Sequence, residues 1–208
     1  MSLKKTSILF LFIASLNSCK TDTKTYSIEQ LEIRNYNYIP HYFFDKNPLT
    51  GTVVEKRVKN DKTVKYFVNN GVKNGAYTEI IKKNILQVEA NYKNGKLDGD
   101  YTTYFTTGII QEQKRYIQGL VDGKRRYNWP NGSPKEINSF RNGVLTNNTF
   151  FYFPNGQLQK KMYYNQRGRK DSIWIEYHSN GVLKDSAKYN NGKLIKRFQY
   201  DREGKKVS

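Results

Sequence analysis

The side chains that could do acid-base chemistry are six carboxylates along the middle of the chain, Asp98, Glu112, Asp122, Glu136, Asp171 and Asp185. A glycosidase would need two of them facing each other across a cleft, but they read as solvated turn and strand residues. His41 and His178 are isolated, and Cys19 is the one cysteine, which excludes an internal disulfide and any multi-cysteine metal site. No Gly-x-Ser-x-Gly elbow, phosphate-binding loop, dinucleotide fingerprint or His-Glu-x-x-His run is present. The sequence therefore predicts no enzyme, no cofactor and no metal.

What remains is recognition chemistry. The chain carries 36 Lys and Arg against 18 Asp and Glu, a formal charge of +18, together with 17 Tyr and 11 Phe. Tyr104, Arg126, Trp129, Tyr152, Trp174 and Tyr177 stand among Lys124, Arg125, Lys160, Lys161, Arg167, Arg169 and Lys170. Two readings stay open. The rings cover the sheet themselves, or one face leaves them exposed beside the cations as a polar-aromatic binding surface.

The N-terminus bears on the partner. Lys4 and Lys5 precede an apolar run from Ile8 to Leu16, too short to span a bilayer as a helix. A positive start, a short apolar core and small residues describe a secretory signal. Leu16-Asn17-Ser18-Cys19 resembles the lipobox of bacterial lipoproteins, in which the cysteine is lipidated and becomes the first mature residue. That resemblance implies a signal peptide over 1–18, a lipid anchor at Cys19 and a polar tether over 19–41. By the same resemblance, Lys20 after the cysteine implies the outer membrane, with periplasmic or surface orientation open. Cleavage leaves 34 basic against 18 acidic residues, so the excess charge belongs to the folded part. Basic residues with interleaved aromatics suit single-stranded nucleic acid, but export argues against that partner. A protein, an anionic lipid or an envelope glycan is the expected one.

These residues must be positioned by a repeat. Gly71, Gly95, Gly119 and Gly143 are 24 residues apart, Gly168 follows after one extra residue, and Gly192 resumes the spacing. Gly108, Gly132, Gly156 and Gly181 form a second column, with Asn84 in the equivalent place, and Gly75, Gly99 and Gly123 a third. An aromatic recurs at Tyr92, Tyr116, Phe140 and Tyr189, with Tyr164 displaced one step. Asn-Gly pairs at 94–95, 131–132, 142–143, 155–156, 180–181 and 191–192 supply the positive φ that hairpin turns require. Between the turns lie short Tyr-, Phe-, Thr- and Ile-rich runs such as 100–105 and 172–177. The expected fold is all-β, an elongated single-layer antiparallel meander over 42–208. It has five full 24-residue hairpin units and partial caps, because one unit cannot bury its own apolar side.

The run 94–105 (NGKLDGDYTTYF), the stretch 141–158 and 191–194 (NGKL) resemble the MORN-repeat superfamily, in particular its bacterial variant in YwqK-type antitoxin proteins. The resemblance covers about 42–204. Asn147 and Ser172 replace the second glycine, and Arg125 and Thr149 stand where Tyr77 and Tyr101 stand in other units. It implies a sheet used as an interaction platform. The expectation is a membrane-anchored, non-catalytic scaffold for a protein partner, with a toxin and an immunity role in view; binding of anionic lipid or glycan by the basic aromatic face is the alternative.

Overall fold

Each repeat folds as two strands because its turn residues supply backbone positions with φ > 0. In a computed structural model, which describes residues 23–207 apart from residue 83, Asn94 and Gly95 have φ of 50° and 79°, and Asn142 and Gly143 have 49° and 78°. Two successive positive φ values define the type I′ turn, whose twist matches that of the flanking strands. Asn70-Gly71, Gln118-Gly119 and Asn191-Gly192 repeat the geometry. The expected signal peptide (1–18) and the anchor Cys19 lie outside the described residues.

Gly108, Gly132, Gly156 and Gly181 shape wider loops at the other end of the strands. There Phe105 N–H donates to Ile109 O and Gly108 N–H to Phe105 O, and the pattern recurs at Trp129, Phe153 and His178. Gly168, expected in the tight-turn column, belongs to this wider class. Asn165 N–H donates to Arg169 O at 2.9 Å and Gly168 N–H to Asn165 O at 2.9 Å. The inserted residue is the reason: an extra position cannot fit a two-residue turn, so the chain takes the longer loop there.

Among the described residues the first strands are β1 (Thr25–Ser27), β2 (Glu32–Tyr36), β3 (Ile39–Phe44) and β4 (Asn47–Pro48). Then come β5 (Gly51–Arg57), β6 (Lys62–Asn69), β7 (Val72–Ile81), β8 (Ile85–Lys93), β9 (Lys96–Tyr104) and β10 (Ile110–Ile117). The remainder are β11 (Leu120–Val121), β12 (Gly123–Asn128), β13 (Pro134–Arg141), β14 (Val144–Tyr152), β15 (Leu158–Tyr164), β16 (Lys170–Tyr177), β17 (Leu183–Asn190) and β18 (Lys193–Gln199). From β5 onward consecutive strands pair antiparallel in one 15-stranded open sheet, except that the two-residue β11 pairs with β10 alone and β12 pairs with β10. At ordinary strand spacing this ribbon is about 60 Å long.

Two devices give every unit the same shape. The tight-turn glycine donates its amide to a carbonyl 22 residues earlier, in the previous turn: Gly95 to Lys73 O (2.8 Å), Gly119 to Leu97 O (2.7 Å), Gly143 to Val121 O (2.8 Å). Just after the turn the outgoing strand carries two extra residues. Tyr92 pairs with Leu97 but Ala90 with Tyr101, a bulge holding Gly99 at φ 107°. Gly75, Gly123, Asn147 and Ser172 hold the same place with φ of 111°, 89°, 62° and 60°.

The first strands correct two expectations. The stretch read as a tether to residue 41 is folded from Thr25 on, and a boundary at 42 would cut β3 in half. β1 pairs parallel with β5, the one parallel pairing among the described strands of a sheet expected to be antiparallel, and β2, β3 and β4 form a second sheet. The cause is apolar side chains within the polar stretch. Tyr26, Ile28 and Leu31 pack on a buried cluster of Tyr42, Leu49, Val53, Val64, Tyr66 and Val68. This core closes the sheet edge that the first hairpin would otherwise leave open.

Candidate interaction faces

Side chains alternate across a strand, and residues in register share a face. One face is a ladder of rings. Tyr66 pairs with Tyr77, Tyr77 with Ala90, and Ala90 with Tyr101, so one small side chain stands among three rings across four strands. Ring centroids lie 5.5 Å apart for Tyr77 and Tyr92, and 5.6 Å for Tyr101 and Tyr116. Trp174 sits between Tyr164 at 5.2 Å and Tyr189 at 5.0 Å, over buried Ala187. Burial pushes the Tyr66 and Tyr77 hydroxyls well above the usual tyrosine range.

The ladder is interrupted where Arg125 and Thr149 replace tyrosine. There Glu112 accepts from Lys114 (3.0 Å) and Arg125 (2.5 Å), and Arg125 also reaches Glu136 at 3.6 Å. Glu79 pairs with Lys62 at 2.5 Å, Glu176 with Lys160 and Lys184 at 2.7 Å each, and Asp185 with Arg197 at 2.6 Å. Burial alone would raise Glu79, Glu112 and Glu176, but the hydrogen bonds from their cationic and hydroxyl partners outweigh it and hold all three below the usual carboxylate range. Among the described residues, the ion pairs of the long sheet all use acids of this face.

The other face is basic. In β10, Glu112, Lys114 and Tyr116 are half-buried while Gln113, Arg115 and Ile117 are exposed, and in β12 Lys124 and Arg126 are exposed while Arg125 is not. Register adds Lys65, Lys161, Lys188 and Lys196 to this side, with Glu89 and Asp100 as its main acids. Arg115, Lys124 and Arg126 line a shallow groove of about 580 Å³ with Asp100, Thr102, Gln113 and Ile137. None of the three cations stands within ion-pairing distance of a described carboxylate.

The six residues expected on one binding face do not share a face. Tyr104, Arg126, Tyr152 and Tyr177 lie on the basic side, where the Tyr104 hydroxyl donates to Glu89 and Phe150 packs beside Tyr152. Trp174 belongs to the ring ladder. Trp129 sits in a wider loop, its indole N–H donating to Tyr152 O at 3.1 Å. Trp174 and Tyr177 are three residues apart in one strand, a spacing that alternation alone puts on opposite faces. The same rule could have found Arg115, which sequence reasoning missed, two residues from Gln113 and opposite Asp100.

His41 Nδ1 meets Ile39 O and His178 Nε2 meets Tyr200 O, each at 3.0 Å. Among the described residues no three His, Cys, Asp or Glu side chains converge to hold a metal ion, and no helix is long and apolar enough to cross a membrane.

A family model described as the MORN repeat variant matches residues 97–118, 145–166 and 170–191. These three stretches are similar to MORN-variant repeats. Each match runs up one strand, round a wider loop and back down to the start of the next turn, so each matched unit is one hairpin of the ribbon. A comparison with curated proteins gives no match. Lys124 and Arg126 lie in the hairpin between the first and second MORN matches.

Proposed function

We propose that this chain is a non-catalytic repeat scaffold that holds a protein partner on its exposed basic face, and that Cys19 is its lipid anchor in the cell envelope, at the outer membrane. The observation that carries the reading is the division of charge between the two faces. Acids and their cationic partners are gathered on the ring face, where they neutralise one another beneath partial burial. The opposite face keeps its cations in solvent with few carboxylates, Glu89 and Asp100 chief among them, and forms none of the long sheet's described ion pairs with its acids, an arrangement suited to steering and selecting an acidic partner. The resemblance to antitoxin repeat proteins makes a toxin a specific form of that partner, held as an immunity protein would hold it.

The test uses the full chain in cells, with a photo-crosslinking amino acid placed at Tyr152 or Lys188 on the basic face, or at Tyr189 on the ring face. A defined crosslinked protein from the first two sites and none from the third is expected. Crosslinks from the ring face alone would remove the proposal. The anchor is tested separately, since Cys19→Ala should abolish fatty-acid labelling and release the protein from membranes.

A further inference from the structure

We infer that the groove across β9, β10, β12 and β13 is the docking site for an extended acidic polypeptide segment of the partner, a statement that rests on the scaffold reading above. Besides Lys114, which is paired with Glu112, three cations outside any described ion pair converge there from two neighbouring strands. Arg115 lies across from the bulge holding Gly123, beside Lys124, and Arg126 is in register with Gln113. Like charges gathered on adjacent strands repel, and Asp100 is the single carboxylate among the groove's described lining. Glu112, on one of the same strands, faces the other side and is taken up by Lys114 and Arg125. A ligand bearing two or more carboxylates would relieve the repulsion.

One of the three is held ready. Arg126 Nε donates to Asn128 Oδ1 at 2.8 Å, and Asn128, 5% exposed, donates through Nδ2 to Ile110 O at 3.0 Å. This buried amide fixes the plane of the guanidinium and leaves its outer N–H groups to receive a carboxylate in a paired geometry. Thr102 and Gln113 add neutral hydrogen-bonding groups and Ile137 an apolar contact, a mixture suited to a peptide with alternating acidic and uncharged residues.

The ribbon's twist favours a polypeptide over a bilayer. Neighbouring strands turn by roughly 20–25°, and Lys65 on β6 and Lys188 on β17 are ten strand steps apart. The cations therefore wind round the ribbon, and a flat anionic surface meets only a few at once. A chain segment seated in the groove meets Arg115, Lys124 and Arg126 together.

The experiment measures binding of the full chain to a soluble peptide of alternating glutamate and threonine, and to phosphatidylglycerol vesicles. The Arg115→Gln, Lys124→Gln, Arg126→Gln triple variant is compared with a Lys161→Gln, Lys188→Gln, Lys196→Gln triple that removes equal charge from the same face outside the groove. All six side chains belong to the basic face, and melting temperatures are measured for both variants to check that each stays folded. Peptide affinity should fall at least about tenfold in the groove variant and less than about threefold in the control. Equal losses would overturn the groove, as would absent peptide binding or vesicle binding that tracks the groove residues. If crosslinking at Tyr152 and Lys188 persists while the groove residues prove irrelevant, the scaffold reading stands and this inference alone falls.

Discussion

The ammonium of Lys73 lies 4.3 Å from the ring centroid of Tyr66. Tyr77 and Tyr92 stand at 5.1 and 5.3 Å, so a lysine is enclosed by three rings of the ladder. Lys170 is held in the same way by Trp174 at 4.6 Å and Tyr189 at 5.2 Å. Both lysines occupy a repeat position that is Leu97, Val121, Leu145 and Leu194 in other units. The rings accept either a hydrocarbon or a cation at this place.

Replacing Lys73 by leucine should raise the melting temperature by about 2–4 °C, the equivalent of roughly 1 kcal/mol in a chain of this size. Burial lowers the ammonium's pKa below 10.5, so the folded protein holds this proton less tightly than the unfolded chain does. The resulting penalty is full at neutral pH and vanishes as pH approaches 10.5. Thermal unfolding at pH 7 and pH 10 should show the advantage of the Lys73→Leu variant shrinking; an advantage that grows with pH would refute the account.

Glu112 bridges Lys114 and Arg125, and Glu112→Gln should cost about 1–3 kcal/mol by leaving two half-buried cations with one neutral acceptor. Its folded pKa, with those of Glu79 and Glu176, lies below 4.5. Stability from these carboxylates is present above pH 4.5 and lost as pH falls through their lower folded values. Denaturant titrations should therefore give a constant midpoint from pH 7 to about 5 and a decline at lower pH, shallower in the Gln variant.

A β-carbon at Gly95 would stand well under 3.0 Å from Ile39 Cγ2 with φ at +79°, whereas at Gly132 the nearest atom is 3.6 Å away with φ at +82°. Both Val variants carry the penalty of a left-handed backbone, at least about 1–2 kcal/mol. Gly95→Val adds a clash with the N-terminal unit. Calorimetry should rank Gly95→Val well below Gly132→Val, and equal melting temperatures would contradict the packing.

Ser172 holds φ at +60° in the bulge where other units carry Gly75, Gly99 and Gly123. Ser172→Gly should stabilise by about 0.5–1 kcal/mol. Asn147→Gly should gain less, because asparagine tolerates the left-handed region. Urea unfolding of the two variants against the parent chain gives the order.

The hairpin meander was legible because turn chemistry is local: Asn94-Gly95 and Asn142-Gly143 state their φ requirement without reference to the rest of the chain. The bulge was half legible, since Gly75, Gly99 and Gly123 marked a column but not the two extra residues they accommodate. Gly168 was misplaced because spacing alone does not tell a lengthened repeat from a lengthened loop. The N-terminal unit was missed for a different reason. Tyr26, Ile28 and Leu31 are too sparse to show a period, and their burial depends on Val53 and Tyr66, far along the chain. The face assignment failed on parity, as Trp174 and Tyr177 show, since a column of aromatics records recurrence but not side.

The stapling of each tight turn to the one before it has a mechanical consequence. From β6 onward each described strand pairs only with the strands next to it along the ribbon, the short β11 being held to β10, so tension applied at the last strand is borne by one rung at a time. The ribbon should pay out in steps of one repeat, each releasing about 80 Å of chain at full extension, while the units behind keep their shape. Such a body yields to a pull gradually and can re-zip from whatever remains folded.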